Sequence, residues 1–210
     1  GVGGVGVNAE SALAFGGEAP GGNTSLTETW NGSGWTEVGD LNANTRHAGN
    51  AGTATSALAV GGLGPPTNMA INQSWNGSSW TEVGDLNTAR RGLKGFGADN
   101  TSAVVAGGYI SAYQTVTETW NGSSWSETND LNTARGFGGS SIQGTISAGI
   151  VFAGEKASPS PGAQTEDWNG ASWSEVADLN TGRGNGMYGH GTATLGLAAG
   201  GETATAVSAS

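Results

Sequence analysis

Short apolar runs that end in a pair of small residues recur along the chain, and polar stretches separate them. The five runs are SALAFGG at 11–17, SALAVGG at 56–62, SAVVAGG at 102–108, IVFAGE at 150–155 and LGLAAGG at 195–201. Each run is shorter than a typical helix and is bounded by glycine, which is typical of a buried β-strand. No segment keeps a helical period, so the pattern predicts an all-β protein.

A second element, with two tryptophans, recurs in phase with the apolar runs. The segments at 75–90 (WNGSSWTEVGDLNTAR) and 120–135 (WNGSSWSETNDLNTAR) share 13 of 16 positions, and looser copies begin at Trp30 and Trp168. The first tryptophans stand at 30, 75, 120 and 168, which gives spacings of 45, 45 and 48 residues. Repeats of this length, built from short antiparallel strands, indicate the blades of a β-propeller.

Each repeat is predicted to contain four strands, named a to d in chain order. Strand a precedes the apolar run, at 3–7, 49–55, 92–98, 138–145 and 186–194, and the apolar run is strand b. Strands c and d flank an Asn-Gly pair, which predicts a type I′ hairpin because both residues tolerate positive φ. The tryptophans of each hairpin should lie close together and form the core between blades; they are Trp30, Trp35, Trp75, Trp80, Trp120, Trp125, Trp168 and Trp173.

These residues resemble the kelch motif, in which an apolar strand ending in Gly-Gly precedes Glu-x-Tyr-Asp, a tryptophan and a later arginine. The third repeat matches with Gly107-Gly108, Glu118, Trp120-Asn121, Trp125 and Arg135, although Trp and Asn replace the Tyr and Asp of the family. The other repeats match in the same order. The resemblance implies one domain over residues 1–210, a five-bladed kelch-like propeller with blades at about 1–45, 46–90, 91–135, 136–183 and 184–210.

The fifth repeat contains no tryptophan hairpin, so its blade is predicted to lack the outer strand. Residues 184–210 should supply strands a, b and c. Either this blade has three strands or the chain is part of a longer array. The repeat wording is also similar to kelch-like repeats in structural proteins of tailed phages, especially marine ones. That similarity implies a virion-surface or extracellular location.

Composition and charge narrow the classes of function. The net charge is −10, which disfavours nucleic acid as a partner, and no apolar run is long enough for a membrane span. Cysteine is absent and the only histidines are His47 and His190, so no metal site is predicted. No phosphate-binding loop or nucleophile elbow is present either. We therefore expect no cofactor and no enzymatic activity.

The loops between strands b and c differ strongly between repeats, whereas the c–d turns are nearly constant. Ligand recognition is therefore predicted on the b–c face, where Tyr109 and Tyr113 could stack on a sugar or a protein. Candidate contacts near the central channel, among them residues that depart from the repeat, are Arg46, Arg90, Arg91, Arg135, Arg183, His47, Lys94 and His190.

The repeated arginines allow two interpretations. They either form a ring of donors for carboxylates or sugar hydroxyls, or pair structurally with the aspartates at 40, 85, 130 and 178. We expect a binding or display module that recognises a glycan or a protein, within a longer chain or a larger assembly. The alternatives are an intracellular kelch-type scaffold for a protein partner and a divergent glycan-active hydrolase.

Overall fold

The computed structural model describes residues 1–64, 66–158 and 160–203, in which antiparallel strands alternate with turns and no helix forms. The all-β prediction is confirmed. Within those ranges, nothing has the length and apolarity that a membrane-crossing helix requires. The strands are β1 Gly3–Asn8, β2 Ser11–Phe15, β3 Glu18–Ala19, β4 Gly22–Asn23, β5 Thr27–Trp30, β6 Trp35–Glu37, β7 Gly49–Thr53, β8 Ser56–Val60, β9 Leu63–Gly64, β10 Thr67–Asn68, β11 Asn72–Trp75, β12 Trp80–Val83, β13 Lys94–Asp99, β14 Ser102–Ala106, β15 Thr117–Trp120, β16 Trp125–Glu127, β17 Gly139–Ser140, β18 Gly149–Phe152, β19 Thr165–Trp168, β20 Trp173–Val176, β21 Gly184–Gly191 and β22 Gly196–Glu202.

The first four repeats each form one four-stranded antiparallel sheet, with strands a to d side by side. These sheets are β1-β2-β5-β6, β7-β8-β11-β12, β13-β14-β15-β16 and β17-β18-β19-β20, followed in the described residues by a two-stranded fifth sheet, β21-β22. Strand a of the fourth repeat is shorter than predicted, because a turn closed by Gly144 N–H on the Ser141 carbonyl follows β17. Strand c predicted for the fifth repeat falls after β22, mainly on 204–210, outside the described residues.

The two tryptophans of each hairpin face each other across strands c and d, as predicted, with ring centroids 5.2–5.6 Å apart. The predicted type I′ turn is wrong. In the first repeat the loop has four residues, and only Gly32 has positive φ. The Asn31 Oδ1 atom accepts hydrogen bonds from the backbone N–H groups of Ser33 and Gly34, both at 3.0 Å. This side-chain bond shapes the turn without a left-handed asparagine.

Consecutive sheets pack face to face, and each tryptophan pair covers the sheet that precedes it. Trp80 of the second sheet meets the edge of the Phe15 ring at 4.9 Å and donates from its indole to Thr27 Oγ1 at 3.0 Å. Trp173 of the fourth sheet makes the same bond to Thr117 Oγ1. The interfaces between the first four sheets are therefore built from one repeated arrangement.

The first sheet is the exception, because its own tryptophan pair has no sheet packed over it within the described residues. Trp35 is 51% exposed, whereas Trp80, Trp125 and Trp173 are only 5–6% exposed. Trp30 is half-buried, so the first pair does not form a buried core between two sheets in the described residues.

The first strands of the five sheets lie next to one another, in the order β1, β7, β13, β17 and β21. The fifth and fourth repeats also reach the first sheet. His190 Nε2 lies 3.0 Å from the Gly6 carbonyl oxygen, and Gln143 Nε2 donates to the Val7 carbonyl at 2.9 Å. The inner strands of all five repeats consequently surround common cavities, which position the candidate site.

Candidate ligand-binding site

A cavity of about 510 Å³ opens where the b–c loops and the connections from strand d to the next strand a come together. All five repeats contribute to its lining, and the charged side chains are Glu18, Arg46, Arg91, Glu155 and Glu202. We call this cavity the mouth. Its lining combines carboxylates with guanidinium groups, so it can offer both hydrogen-bond acceptors and donors to a polar ligand.

Two strained residues form the floor of the mouth. His47 and Phe137 have φ of 57° and 58°, in the left-handed region that side chains rarely adopt, and their rings meet edge to face at 5.2 Å. Both also line a smaller inner chamber of about 160 Å³. Backbone strain of this kind is concentrated at functional sites. The sequence indicated His47 but gave no reason to select Phe137.

The inner chamber contains a lysine without an anionic partner. No carboxylate of the described residues lies within 4 Å of the Lys94 ammonium, and burial lowers the Lys94 pKa to about 8. Burial also lowers the His47 pKa to about 4, reinforced by nearby positive charges that include Arg46 and Lys94. His47 is therefore neutral at pH 7, and Lys94 is a cation whose charge is poorly solvated.

An aromatic cluster lies beside the mouth and is joined to it through Arg91, which lines the cavity. The rings of Tyr109 and Tyr113 meet edge to face at 5.2 Å, and the Arg91 guanidinium carbon lies 4.8 Å from the Tyr109 ring centroid. Asn68 fixes Arg91 by accepting from its Nη1 at 3.0 Å, and donates from Nδ2 to the Tyr109 carbonyl at 3.1 Å. Burial, with the charge of Glu155, raises the Tyr113 pKa. The structure thus brings together three predicted residues and adds Asn68, which sequence reasoning missed.

Two of the repeated arginines are structural. Arg90 is fully buried and forms an ion pair with Glu118, and Arg135 Nη2 lies 2.7 Å from Glu166 Oε1. Neither guanidinium group can reach a ligand in the mouth. The predicted aspartate pairing is also corrected, because the carboxylates belong to strand c of the sheet that follows each arginine. Asp40, Asp130 and Asp178 accept from backbone N–H groups of Thr27, Thr117 and Thr165 instead.

The other two repeated arginines are not held in this way. Gln73 occupies the position of Glu118 in the second sheet, and Arg46 instead forms an ion pair with Glu18 at the mouth. Arg183 donates to the Gly200 carbonyl at 3.2 Å and has no carboxylate partner within the described ranges. The donors of the mouth are therefore Arg46 and Arg91 rather than a ring of four arginines. Gln73 was the signal in the sequence that could have revealed this.

Neither a protein-family model nor a curated protein sequence matches the chain. The described residues also contain no group of three or more His, Asp or Glu side chains placed to hold a metal ion. The assignment of function therefore depends on the geometry of the mouth and of the repeats around it.

Proposed function

We propose that the chain is a five-bladed kelch-like β-propeller that binds a carbohydrate at the mouth and does not convert it. The observation that carries this proposal is the fixed cluster of Tyr109, Tyr113, Arg91 and Asn68 beside a concave, charged cavity that Arg91 lines. The shared cavities of the inner strands and the repeated tryptophan packing support the propeller arrangement.

The size of the mouth and the side chains around it favour a sugar over a protein partner. Small-molecule sites occupy about 300–1,000 Å³, a range that includes the mouth, whereas a standard protein interface covers about 800 Å² per partner. An aromatic ring with a guanidinium group and an amide beside it suits the apolar faces and hydroxyl groups of a sugar. Tyrosine and arginine also dominate the energetics of protein interfaces, so a protein-binding scaffold is the second candidate.

A binding role without catalysis fits the state of two of the three carboxylates at the mouth, which are Glu18, Glu155 and Glu202. Glu18 forms an ion pair with Arg46, and Glu155 accepts a hydrogen bond from Ser160 Oγ at 2.7 Å. Both groups are thus engaged in fixing the loops. We place this module on a virion or another extracellular surface, where nearly identical repeats would display the b–c loops for attachment.

A glycan array probed with the full chain tests the proposal. We expect saturable binding to a subset of sugars, weakened roughly tenfold or more in Tyr109→Ala, Tyr113→Ala and Arg91→Ala, which corresponds to a loss of about 1.4 kcal/mol. Val176→Ala is the matched control, because Val176 is exposed on the outer strand of the fourth sheet, away from the mouth.

Three results would contradict the proposal. Binding that survives all three substitutions would exclude the mouth as the site. Saturable binding of a protein in the absence of any sugar binding would change the ligand class to that of the scaffold alternative. Turnover on a panel of glycosides would show a hydrolase.

A further inference from the structure

Lys94 stands at a position of the inner strands that glycine occupies in three other repeats. The position lies opposite the residue that precedes the small-residue pair of strand b, and its glycines are Gly3, Gly49 and Gly139. A side chain at Gly3 or Gly139 would overlap a phenylalanine ring of strand b. Lys94 is paired with Ala106 instead, which leaves room for a long side chain. The third repeat therefore contributes a lysine to the lining of the inner chamber.

The ammonium group of Lys94 has no anionic partner among the described residues. The donors of two polar side chains in the same chamber are already used. Asn50 Nδ2 donates to the Gly4 carbonyl at 2.7 Å, and Ser140 Oγ donates to the Gly95 carbonyl at 2.7 Å. A charge removed from water is costly unless it is paired, so an anion in the chamber would offset the cost of burying Lys94.

Positive charge is concentrated at the boundary between the inner chamber and the mouth. The chain has only seven lysines and arginines, and two of them are buried in ion pairs with glutamates. Burial lowers the pKa of His47, and three of the remaining cations lower it further; they are Arg46, Lys94 and Arg91. His47 lines both cavities. These three cations therefore favour an anionic group at this boundary.

The single carboxylate in the lining of the chamber limits the charge of that group. Glu202 lines both cavities and forms no ion pair in the described residues. It repels a dianion such as phosphate more strongly than a monovalent carboxylate. Its oxygens can accept hydrogen bonds from hydroxyl groups. The lining therefore fits a ligand that carries both a carboxylate and hydroxyl groups.

The size of the chamber fits one substituent of a sugar rather than a whole ring. Its volume is about 160 Å³, below the range of about 300–1,000 Å³ that small-molecule sites occupy. The chamber adjoins the mouth, and the residues that line both are Gly1, His47, Phe137, Asn185 and Glu202. A sugar ring in the mouth can therefore direct a substituent toward Lys94.

We propose that the inner chamber binds the carboxylate of a sugar acid through charge-assisted hydrogen bonds from Lys94, while Glu202 accepts hydrogen bonds from hydroxyl groups of the same ligand. This inference rests on the proposed function, because the sugar ring occupies the mouth. It narrows the ligand class to acidic sugars, which the aromatic cluster alone does not distinguish from neutral ones.

Calorimetric titration of the full chain, in a buffer free of carboxylates, compares three probes. Glucuronate is the acidic sugar, glucose is the neutral sugar with the same kind of ring, and acetate is a free carboxylate. We expect glucuronate to bind at least tenfold more tightly than either of the other two, because it alone contacts both the mouth and Lys94.

Substitutions assign the selectivity to the chamber. Lys94→Met should weaken glucuronate binding at least tenfold and remove the preference for glucuronate over glucose. Lys156→Met is the matched control, since Lys156 lines neither cavity, and should leave glucuronate binding unchanged. Glu202→Ala should weaken the binding of glucuronate but not that of acetate, because acetate has no hydroxyl group to donate.

The two methionines of the chain report directly where the ligand lies. Met187 lines the inner chamber and is 1% exposed, whereas Met69 lines neither cavity. In a methyl NMR spectrum of the unsubstituted chain, glucuronate should shift the Met187 signal and leave the Met69 signal in place.

The inference is overturned if Lys94→Met and Lys156→Met bind glucuronate alike, if glucose binds as tightly as glucuronate, or if the Met187 signal does not move. Acetate binding as tight as that of glucuronate would assign the chamber to a free carboxylate and overturn the sugar acid. Neutral sugars that bind on the glycan array, without selection for glucuronate, would overturn this inference alone. The absence of all sugar binding would overturn the proposed function as well.

Discussion

The tryptophan pairs of the first and second sheets belong to the same kind of hairpin but differ in exposure in the described part of the chain. Trp80 is 5% exposed and donates a hydrogen bond to Thr27 Oγ1, whereas Trp35 is 51% exposed. Both residues sit in the same WNGS-type hairpin. The local sequence therefore sets the hairpin, and packing against another sheet decides whether its tryptophans stabilise the fold.

The largest expected effect is a difference between two identical substitutions. Trp80→Ala removes a buried indole from the Phe15 contact and should lower the free energy of unfolding by about 3–5 kcal/mol. Trp35→Ala removes a half-exposed side chain and should lower it by about 1 kcal/mol or less. Chemical denaturation followed by far-UV circular dichroism measures both. Equal losses would show that Trp35 is buried in solution to the same extent as Trp80.

The second comparison concerns the strand c glutamates. Glu118→Gln leaves the fully buried Arg90 without its carboxylate and should destabilise the protein by about 3 kcal/mol. Glu28→Gln is the matched control, because Glu28 stands at the same register position of the first sheet but is exposed and forms no ion pair in the described residues. Its effect should be close to zero in the same denaturation assay. A similar loss for both variants would exclude the buried ion pair as the cause.

The all-β class and the four-stranded sheets of the first four repeats were predictable from the sequence, because strand length, repeat spacing and the Trp-Asn-Gly hairpins are local properties. The turn type was not, since Asn31 bonds through its side chain, an option that Asn-Gly alone does not distinguish from a type I′ turn. The exposure of the first tryptophan pair depends on a contact between repeats far apart in the chain. Identical sequence motifs carry no information about such a contact.

The candidate site was predictable in part for the same reason. Tyr109, Tyr113 and Arg91 depart from the repeat, and departures can be recognised in the sequence. The roles of the repeated arginines could not be recognised in this way, because Arg90 and Arg46 look equivalent until the residue opposite them on strand c is known. Glu118 draws Arg90 into the interior, whereas Gln73 has no charge with which to attract Arg46.

A smaller effect is expected in the inner chamber, where the charge of Lys94 has no carboxylate partner in the described residues. Its folded pKa of about 8 lies below the ordinary 10.5, so the unfolded chain binds the proton more tightly and the charge destabilises the fold at pH 7. Because the side chain is only half-buried by its accessible surface, we expect Lys94→Met to stabilise the protein by about 1–2 kcal/mol.

The pH dependence of the free energy of unfolding tests whether the Lys94 charge causes this destabilisation. The destabilisation by Lys94 is complete below pH 8 and is relieved as pH rises from about 8 to 10.5. The difference in free energy of unfolding between Lys94→Met and the unsubstituted protein should therefore narrow over that range. Lys156→Met, at the other lysine, is the control and should show little change. If the difference in free energy of unfolding stays constant between pH 7 and pH 10, the stabilisation by Lys94→Met results from packing and not from loss of the charge.

The smallest effect concerns two buried polar groups at the interface between the second and third sheets. Asn72 occupies the register position of Thr27 and Thr117, and both Asn72 Oδ1 and the Trp125 indole nitrogen are buried without a hydrogen-bond partner in the described residues. Asn72→Thr would provide the hydroxyl that Trp80 and Trp173 use, and should raise the free energy of unfolding by about 1 kcal/mol. The reverse substitution, Thr117→Asn, should destabilise the protein by a similar amount or more. If both variants lose stability, the threonine hydroxyl is not what the tryptophan requires at this position.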